Sequence, residues 1–474
     1  MTTTVDRAYR LGEFHPFQAE GEKFLYLVPA GAIFQVDDAV EKLVTCLDTS
    51  GTPHDEVIGR LVAKGLTPDD AEDLVSEMFY ANVITAGDAV PERPQSPPAV
   101  FPLQTLVMNL TNQCNLSCQY CYEFGADKVA TPEGKPKFMD LPTAKASVDF
   151  LLEQAEGRQS IHITFFGGET LMNFPLLKQV VAYASEKAHE KDCHVDFSLT
   201  TNATLLTPTI TEFLSENRIG VTVSMDGPKE MHDQLRVFSN GKGSYDIIAP
   251  KVRALIQNHR TRPITARVTL TAGVTDVVRI FRHLKQDLGF HEVGFAPVTT
   301  SPNQLYAIND KGMDSVLDQF HVLAKEYLDY ALRGEAHGFS NVSDTLAELC
   351  QGVNKSHPCG AGLGLMGVGP SGDIAPCHRF VDSDQHALGH ISTGIDRQKQ
   401  NDFLSRGHID SKYDCHTCWA RPLCAGGCHH EAFVRYGDTG HPNLHYCDWI
   451  RDWTNVCLEI YGAIAAKNPK FLEQ

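Results

Sequence analysis

Apolar residues recur with different spacings along this chain, and each spacing predicts its own kind of structure. Between residues 23 and 85, Lys23–Val28 and Ala32–Val36 read as short strands. Three helical stripes follow: Val40, Leu43, Val44 and Leu47; Val57, Ile58, Leu61 and Val62; then Ala71, Leu74, Val75, Met78 and Phe79. Two strands and three short helices are the layout of a small winged-helix module. Ala86–Pro102 carries Pro91, Pro94, Pro97, Pro98 and Pro102, which predicts a stiff, extended linker. From Leu103 to about Val298 strand and helix patterns alternate. Strands are predicted at Gln104–Leu110, Ile161–Phe166, Val195–Thr200, Val221–Met225, Thr265–Thr271 and Glu292–Pro297. Helical patterns lie between them at Ala144–Gln154, Pro175–Lys187, Tyr245–Asn258 and Asp276–Asp287. Six βα repeats imply an α/β fold with a parallel sheet, either a partial barrel or an open doubly wound sheet.

Polar and glycine residues follow the strand ends: Asn112 to Cys121, Gly167-Gly168-Glu169, Thr201-Asn202 and Asp226-Gly227. In a barrel the C-terminal ends of the strands form the active face, so one rim gathers all of these residues. Residues 311–350 include a long helical stretch. Pro358–Cys447 is rich in Cys, Gly and His with little periodicity, and is expected to depend on bound metal for its structure. The resulting division is 1–98, 99–310 and 311–474.

Composition narrows the function classes. A chain of 474 residues can hold two or three cores. No run approaches the roughly 20 apolar residues of a membrane span, and Met1 to Phe17 has no apolar export segment. A cytoplasmic location is expected. The net charge of −18, unbroken by any basic block, argues against nucleic acid or membrane as partners. Fourteen cysteines in a reducing compartment, clustered at 114–121 and 359–447, point to metal ligation rather than disulfides.

Cys114-x3-Cys118-x2-Cys121 follows the first strand of the alternating region. Four thiolates saturate a [4Fe–4S] cluster or a zinc ion. Three leave one iron open to chelate a small molecule. The alternative is a zinc site completed by a distant residue. Together with the rim motifs, this triplet resembles the radical S-adenosylmethionine (SAM) superfamily over roughly residues 103–298. The resemblance places Tyr120 beside the adenine. It matches Gly167-Gly168-Glu169-Thr170 to the family's Gly-Gly-Glu-Pro, with Thr170 replacing the proline, and gives Glu169 the cofactor ammonium. It assigns Asn202 and Ser224 to ribose and carboxylate contacts, and Arg236 to the carboxylate. The implied chemistry is reductive cleavage of S-adenosyl-L-methionine to a 5′-deoxyadenosyl radical that abstracts hydrogen.

The second field is Cys359, Cys377, Cys415, Cys418, Cys424, Cys428 and Cys447. By itself the 415–428 group could be a four-cysteine zinc site. The full spacing is similar to the SPASM extension of radical SAM enzymes, which holds two auxiliary [4Fe–4S] clusters, three clusters in all. That resemblance assigns Cys359, Cys377 and Cys428 to one auxiliary cluster, and Cys415, Cys418, Cys424 and Cys447 to the other. Cys350 is the candidate fourth ligand of the first; without it that cluster has an open iron. Cys46, Cys193 and Cys457 remain as small hydrophobes.

Enzymes with this extension act mostly on peptides or proteins. The N-terminal module resembles their peptide-recognition element, which holds a leader as an added strand; a plain helical cap is the alternative. The expectation is a maturase that forms thioethers between cysteine sulfur and Asp or Glu methylene carbons in a small Cys-rich protein. Electrons come from a donor such as flavodoxin or ferredoxin. Asp226 and His378 are candidates for the base that deprotonates the thiol, with a structural role the alternative for both. His378 stands where sulfatase activators carry an aspartate. The rivals are carbon–carbon cross-linking, sulfatase-type side-chain oxidation, and a non-enzymatic zinc protein that binds peptide.

Overall fold

A computed structural model describes residues 7–86 and 101–473. Most of the proline-rich linker, with Pro91, Pro94, Pro97 and Pro98, lies outside the described residues. The N-terminal module contains more strand than its sequence suggests. It runs β1 (Ala8–Leu11), β2 (Phe14–Ala19), β3 (Glu22–Leu27), β4 (Ala32–Val36), α1 (Asp38–Val44), β5 (Thr52–Pro53), α2 (His54–Ala63), α3 (Pro68–Tyr80) and β6 (Ile84–Ala86). Two antiparallel sheets result, ordered β5-β1-β6 and β2-β3-β4. β2 contains Pro16. It is tolerated because β2 is an edge, where a missing N–H costs no ladder bond.

The alternating region forms β7 (Thr105–Asn109), α4 (Leu141–Gln154), β8 (Ser160–Phe166), α5 (Phe174–Glu190), β9 (His194–Thr201), α6 (Pro208–Glu216), β10 (Gly220–Ser224), α7 (Lys229–Leu235), α8 (Tyr245–Asn258), β11 (Ile264–Leu270), α9 (Val277–Arg282) and β12 (Glu292–Pro297). All six strands pair in parallel and in chain order, β7 through β12. That order is a single winding direction, without the reversal of strand order that a doubly wound sheet has. Ile264, Ala266, Val268 and Leu270 of β11 are buried, whereas Thr265, Arg267 and Thr269 line a cavity inside the curved sheet. The period-2 alternation reflects that open lumen, since parallel strands covered on both faces read as continuous apolar runs.

The helical stretch after the barrel is two helices, α10 (Asp310–Leu332) and α11 (Ser340–Cys350). The chain turns between them at Gly334 (φ +73°) and Gly338 (φ +93°). A β-carbon on Gly338 would lie 2.5 Å from the His291 carbonyl oxygen, so only glycine fits there. The Cys-rich region adds β13 (Leu365–Val368), β14 (Asp373–Ala375), β15 (Gly389–His390) and β16 (Gly394–Ile395), then α12 (Arg397–Gly407), α13 (Arg421–Cys424), α14 (His429–Tyr436) and α15 (Cys447–Lys467). β13 pairs in parallel with β7 (Thr105 opposite Leu365), so the barrel sheet continues into this region to ten strands. Among the described residues no helix is long and apolar enough to cross a membrane.

The N-terminal module docks on α15. Leu25 and Leu27 face the module's own core, whereas Phe17, Phe24 and Tyr26 join the main core. Gly462 makes room for this contact, because a β-carbon there would lie 3.0 Å from Ala19 and 3.1 Å from Phe24. His15 stacks on Trp419 at 3.6 Å and bonds Asn455 at 2.8 Å, and Arg421 pairs with Glu13. Phe24 is buried and stacks on Phe17 at 5.1 Å. Phe24→Ala is therefore expected to destabilise this interface by about 3 kcal/mol. Urea unfolding followed by tryptophan fluorescence will show an unchanged midpoint if the docking is unimportant.

Candidate active site

The loop after β7 carries the cysteine triplet, and the loop after β8 lies directly on it. Gly168 N–H donates to the Thr111 carbonyl (3.0 Å), and Glu169 N–H donates to that of Gln113 (2.9 Å). β-Carbons on Gly167 (φ +122°) and Gly168 would stand 2.2 and 2.3 Å from those same carbonyl oxygens. These two glycines admit the backbone of the cysteine loop at close range.

Glu169, 1 % exposed, accepts from Leu171 N–H (3.0 Å), Thr201 hydroxyl (2.7 Å) and Asn202 N–H (2.7 Å). Burial raises its pKa while these three donors pull it down. A carboxylate has about four lone-pair sites, so one remains for a further donor such as an ammonium. Thr170, in the place of a proline, donates to the Thr200 carbonyl (2.9 Å) and so ties this loop to the end of β9.

Asn202 is turned toward the cysteine loop as well. Its Nδ2 donates to Asn115 Oδ1 (3.0 Å) and reaches Cys114 Sγ (3.8 Å), while Oδ1 accepts from the Thr204 N–H (3.0 Å) and hydroxyl (2.6 Å). Ser224 lines the cavity. Arg236 spends its fork on Asp226, with Nε on Oδ2 (2.7 Å) and Nη2 on Oδ1 (3.1 Å). Tyr120 hydroxyl donates to the same Oδ2 (2.6 Å), Thr269 N–H donates to Oδ1 (2.9 Å), and the guanidinium lies 5.3 Å from the Tyr120 ring centre. Asp226 thus receives four donors. Against the desolvation of full burial, Arg236 holds its carboxyl below the usual range. In this structure it positions Tyr120 and Arg236 and does not line the cavity. Arg236 also reaches the Cys118 sulfur.

His378 does line the cavity, 4.5 Å from the Phe166 ring. Burial and adjacent Arg379 push its pKa down to about 3, so the imidazole is neutral. Burial, helped by Glu123 and the neighbouring Cys118, pushes the Cys114 and Cys121 thiols up to about 12. Bare thiolates are disfavoured here, and a bound cation would deprotonate them outright.

The cavity over the triplet measures about 640 Å³ and opens among the ends of β8 to β12 and the segment His378–Arg379. Several lining residues escaped the sequence reading: Tyr122, Glu123, Arg267, Glu292, Asp344 and Arg379. Burial raises Glu123 to about 8. The signal for Arg267 was present, because a charged residue in the middle of an apolar strand, Ile264–Leu270, needs a lumen to face.

The seven C-terminal cysteines separate by electrostatic neighbourhood. Cys377 feels Cys428 and Cys359, and Cys359 feels Cys428. Cys415 feels Cys424, Cys447 and Cys418, while Cys447 feels Cys424 and Cys418. Lys412, 1 % exposed, donates to the Ala425 carbonyl (3.0 Å) and faces members of both sets, Cys415 and Cys424 on one side, Cys359 and Cys428 on the other. Cys350 is exposed at the end of α11. Cys46 and Cys457 are buried among apolar residues, and Cys193 is partly exposed. Among the described residues no three His, Cys, Asp or Glu gather closely enough for one metal ion. A lone zinc needs its thiolates roughly 3.8 Å apart.

Residues 108–300 match the model of the radical SAM superfamily. A cysteine-type anaerobic sulfatase-maturating enzyme of Clostridium novyi (strain NT) is 26 % identical over 367 residues, covering 74 % of this chain and 94 % of the relative. The solved structure of native anSMEcpe with bound AdoMet and Cp18Cys peptide superposes with a TM-score of 0.65 at 20 % identity, over 77 % of this chain and 99 % of that one. Streptococcus suis SuiB bound to precursor peptide SuiA superposes at 0.51 and 14 % identity, over 94 % and 98 %. The domain implies AdoMet and one [4Fe–4S] cluster, and the residues present fit both. Cys114, Cys118 and Cys121 are three partly buried cysteines on one cavity wall, and Glu169 keeps a lone pair there.

Two outcomes follow. Gly168→Ala pushes a β-carbon onto the Gln113 carbonyl and is expected to lower bound iron by about four per chain, measured on anaerobically reconstituted protein. Asp226→Asn leaves Arg236 buried without its partner, at a cost of about 3–5 kcal/mol. It should weaken AdoMet binding while iron content stays; unchanged stability would remove Asp226 from its positioning role.

Proposed function

We propose that this radical SAM enzyme is a peptide maturase that links cysteine sulfur to Asp or Glu methylene carbons within a small Cys-rich protein. What supports this reading is the field of seven C-terminal cysteines, one of which, Cys377, leads directly into His378 and Arg379 on the cavity wall. On this reading Cys359, Cys377 and Cys428 hold one auxiliary [4Fe–4S] cluster. Cys415, Cys418, Cys424 and Cys447 hold the other, in a SPASM arrangement. The interleaving of Cys428 into the first set knits the region together. Cys350 is the candidate fourth ligand of the three-cysteine set; without it that set has room for a substrate thiolate.

Each thioether replaces one C–H and one S–H bond by one C–S bond, so two protons and two electrons leave the substrate. When bound, AdoMet and the clusters supply the hydrogen-atom acceptor and the sink for the second electron. The protein's own part is to hold the reacting carbon against the cavity wall and to exclude water. Tyr120, held by Asp226, and Ser224 shape the cofactor side of the cavity. The substrate leader would add as a strand to an open edge of the N-terminal module, for which β4 is one candidate. The solved structure of SuiB contains a precursor peptide, which supports a peptide partner. Length, module and cysteine spacing together resemble the maturation protein of quinohemoprotein amine dehydrogenase, whose substrate is the γ-subunit. A flavodoxin or ferredoxin type donor would provide the reducing electron.

A second reading is sulfatase-type oxidation of a side chain, favoured by the sulfatase-maturating relative that spans 74 % of this chain. Anaerobic co-expression with small Cys-rich proteins encoded nearby separates the two. The thioether reading requires a mass loss of two hydrogens per link and cysteines that resist alkylation. An aldehyde with fully alkylated cysteines points to the second reading. Cys415→Ala and Cys377→Ala should each lower bound iron, by up to about four per chain; iron that stays at the wild-type level in both refutes the auxiliary sites.

A further inference from the structure

Two arginines face the cavity without a carboxylate on either. Arg267 projects inward from β11, wetted by the cavity yet walled by protein. Arg379 follows His378 and lies over the Tyr122 ring at 4.9 Å. Both line the same cavity, so their like charges oppose each other, and the Arg267 pKa is lowered by burial and by Arg379. Among the described residues neither side chain has a hydrogen bond or an ion pair within salt-bridge distance.

The acidic groups nearby do not cancel them. Glu292 accepts from the Thr265 hydroxyl at 3.2 Å. Asp344 is the one carboxylate felt by Arg267, and burial together with Glu292 disfavours its charged form. Gly294 leaves the wall bare beside Arg267. A β-carbon there would lie 3.4 Å from Arg267 Nη1 and 2.6 Å from Ser340 Oγ. Two like charges held together in a walled space are costly unless an anion joins them. Guanidinium groups are the side chains best suited to a planar carboxylate.

Two carboxylates could enter this cavity, that of the cofactor and that of a substrate side chain. The position of the pair favours the second. Tyr122, under Arg379 and next to Cys121 in the chain, packs edge-on against His378 at 6.0 Å and His430 at 5.8 Å, which places it between the triplet and the C-terminal cysteine field. The cofactor's polar end belongs instead with Glu169 and the triplet, on the loops after β7 and β8. We propose that Arg267 and Arg379 form the receptor for the side-chain carboxylate of the residue being modified, so that an Asp or Glu is anchored by its acid group and presents its methylene carbon to the cavity. This rests on the peptide-maturase reading and deepens it by naming what holds the target residue.

The test uses full-length, anaerobically reconstituted enzyme with AdoMet bound. The probes are N-acetyl-L-glutamic acid α-amide and its neutral isostere N-acetyl-L-glutamine amide, titrated by calorimetry. The acid is expected to bind about tenfold tighter than the amide. Arg267→Gln and Arg379→Gln should each abolish that preference, with iron content and AdoMet affinity retained, and Arg267→Lys should keep part of it. Equal binding of acid and amide to the wild type overturns the proposal, whatever the variants do. So does a loss of AdoMet affinity in both Gln variants, since the cofactor's own carboxylate is then the occupant. An acid preference that persists while co-expressed substrate shows no thioether sinks the cross-linking reading and leaves the receptor standing.

Discussion

The contact on which the site depends is between two backbones. The turn after β8 and the cysteine loop after β7 meet without side chains between them, Gly168 N–H on the Thr111 carbonyl and Glu169 N–H on that of Gln113. Parallel neighbours bring their C-terminal ends to the same rim, but rim loops are separate chain segments and need a reason to hold one arrangement. Here the reason is paired hydrogen bonding at a distance no β-carbon allows. From that seam the order spreads outward. Glu169 reaches the start of the β9 loop through Thr201 and Asn202, and Asn202 returns to Asn115 and Cys114. Three strand ends thus form a closed ring of contacts around the triplet.

A second group fixes the opposite wall by charge. Asp226 and Arg236 are both buried, and each is tolerable only because of the other. Tyr120 stands on this pair through its hydroxyl, Thr269 N–H completes the carboxylate, and His232 receives the Asp226 N–H at 3.2 Å. Four acceptor positions on Asp226 are therefore occupied by fixed donors, which is the arrangement of a scaffold. A base must have a lone pair directed at the proton it takes.

Much of this was legible in the chain, for identifiable reasons. Strands β8 to β11 alternate because the cavity makes one face polar, and Glu292–Pro297 was placed residue for residue. The division of the C-terminal cysteines into two sets rests on resemblance, since their spacing along the chain alone does not assign partners. What the chain did not disclose was partnership across strands. Glu169, Asn202 and Arg236 were matched to a cofactor from their order, yet each also bonds groups contributed by neighbouring loops. No one-dimensional spacing reports those. α6 was missed although Thr207 caps it, accepting from Ile210 N–H (3.3 Å), and Pro208 opens it. β2 was hidden by Pro16, whose strand position depends on being an edge.

The C-terminal region poses a problem of charge as well as of packing. Its own apolar clusters are small, such as Ala361, Phe403 and Leu404, or Ile409, Cys415 and Ala425. Clusters of that size cannot offset the ordering of so many residues, so the expected dependence on metal has a structural basis. Metal binding in turn requires thiolates, and seven of them in a buried region repel one another. Lys412 answers this in part. It is buried, has a single carbonyl partner, and faces sulfurs of both sets. Gly426 (φ +86°) gives it space, since a β-carbon there would lie 2.7 Å from the ammonium nitrogen. An ammonium without a carboxylate partner is costly when the sulfurs are protonated and favourable when they are anionic. The same side chain therefore disfavours the region without metal and favours it with metal, coupling the two cysteine sets through one shared cation.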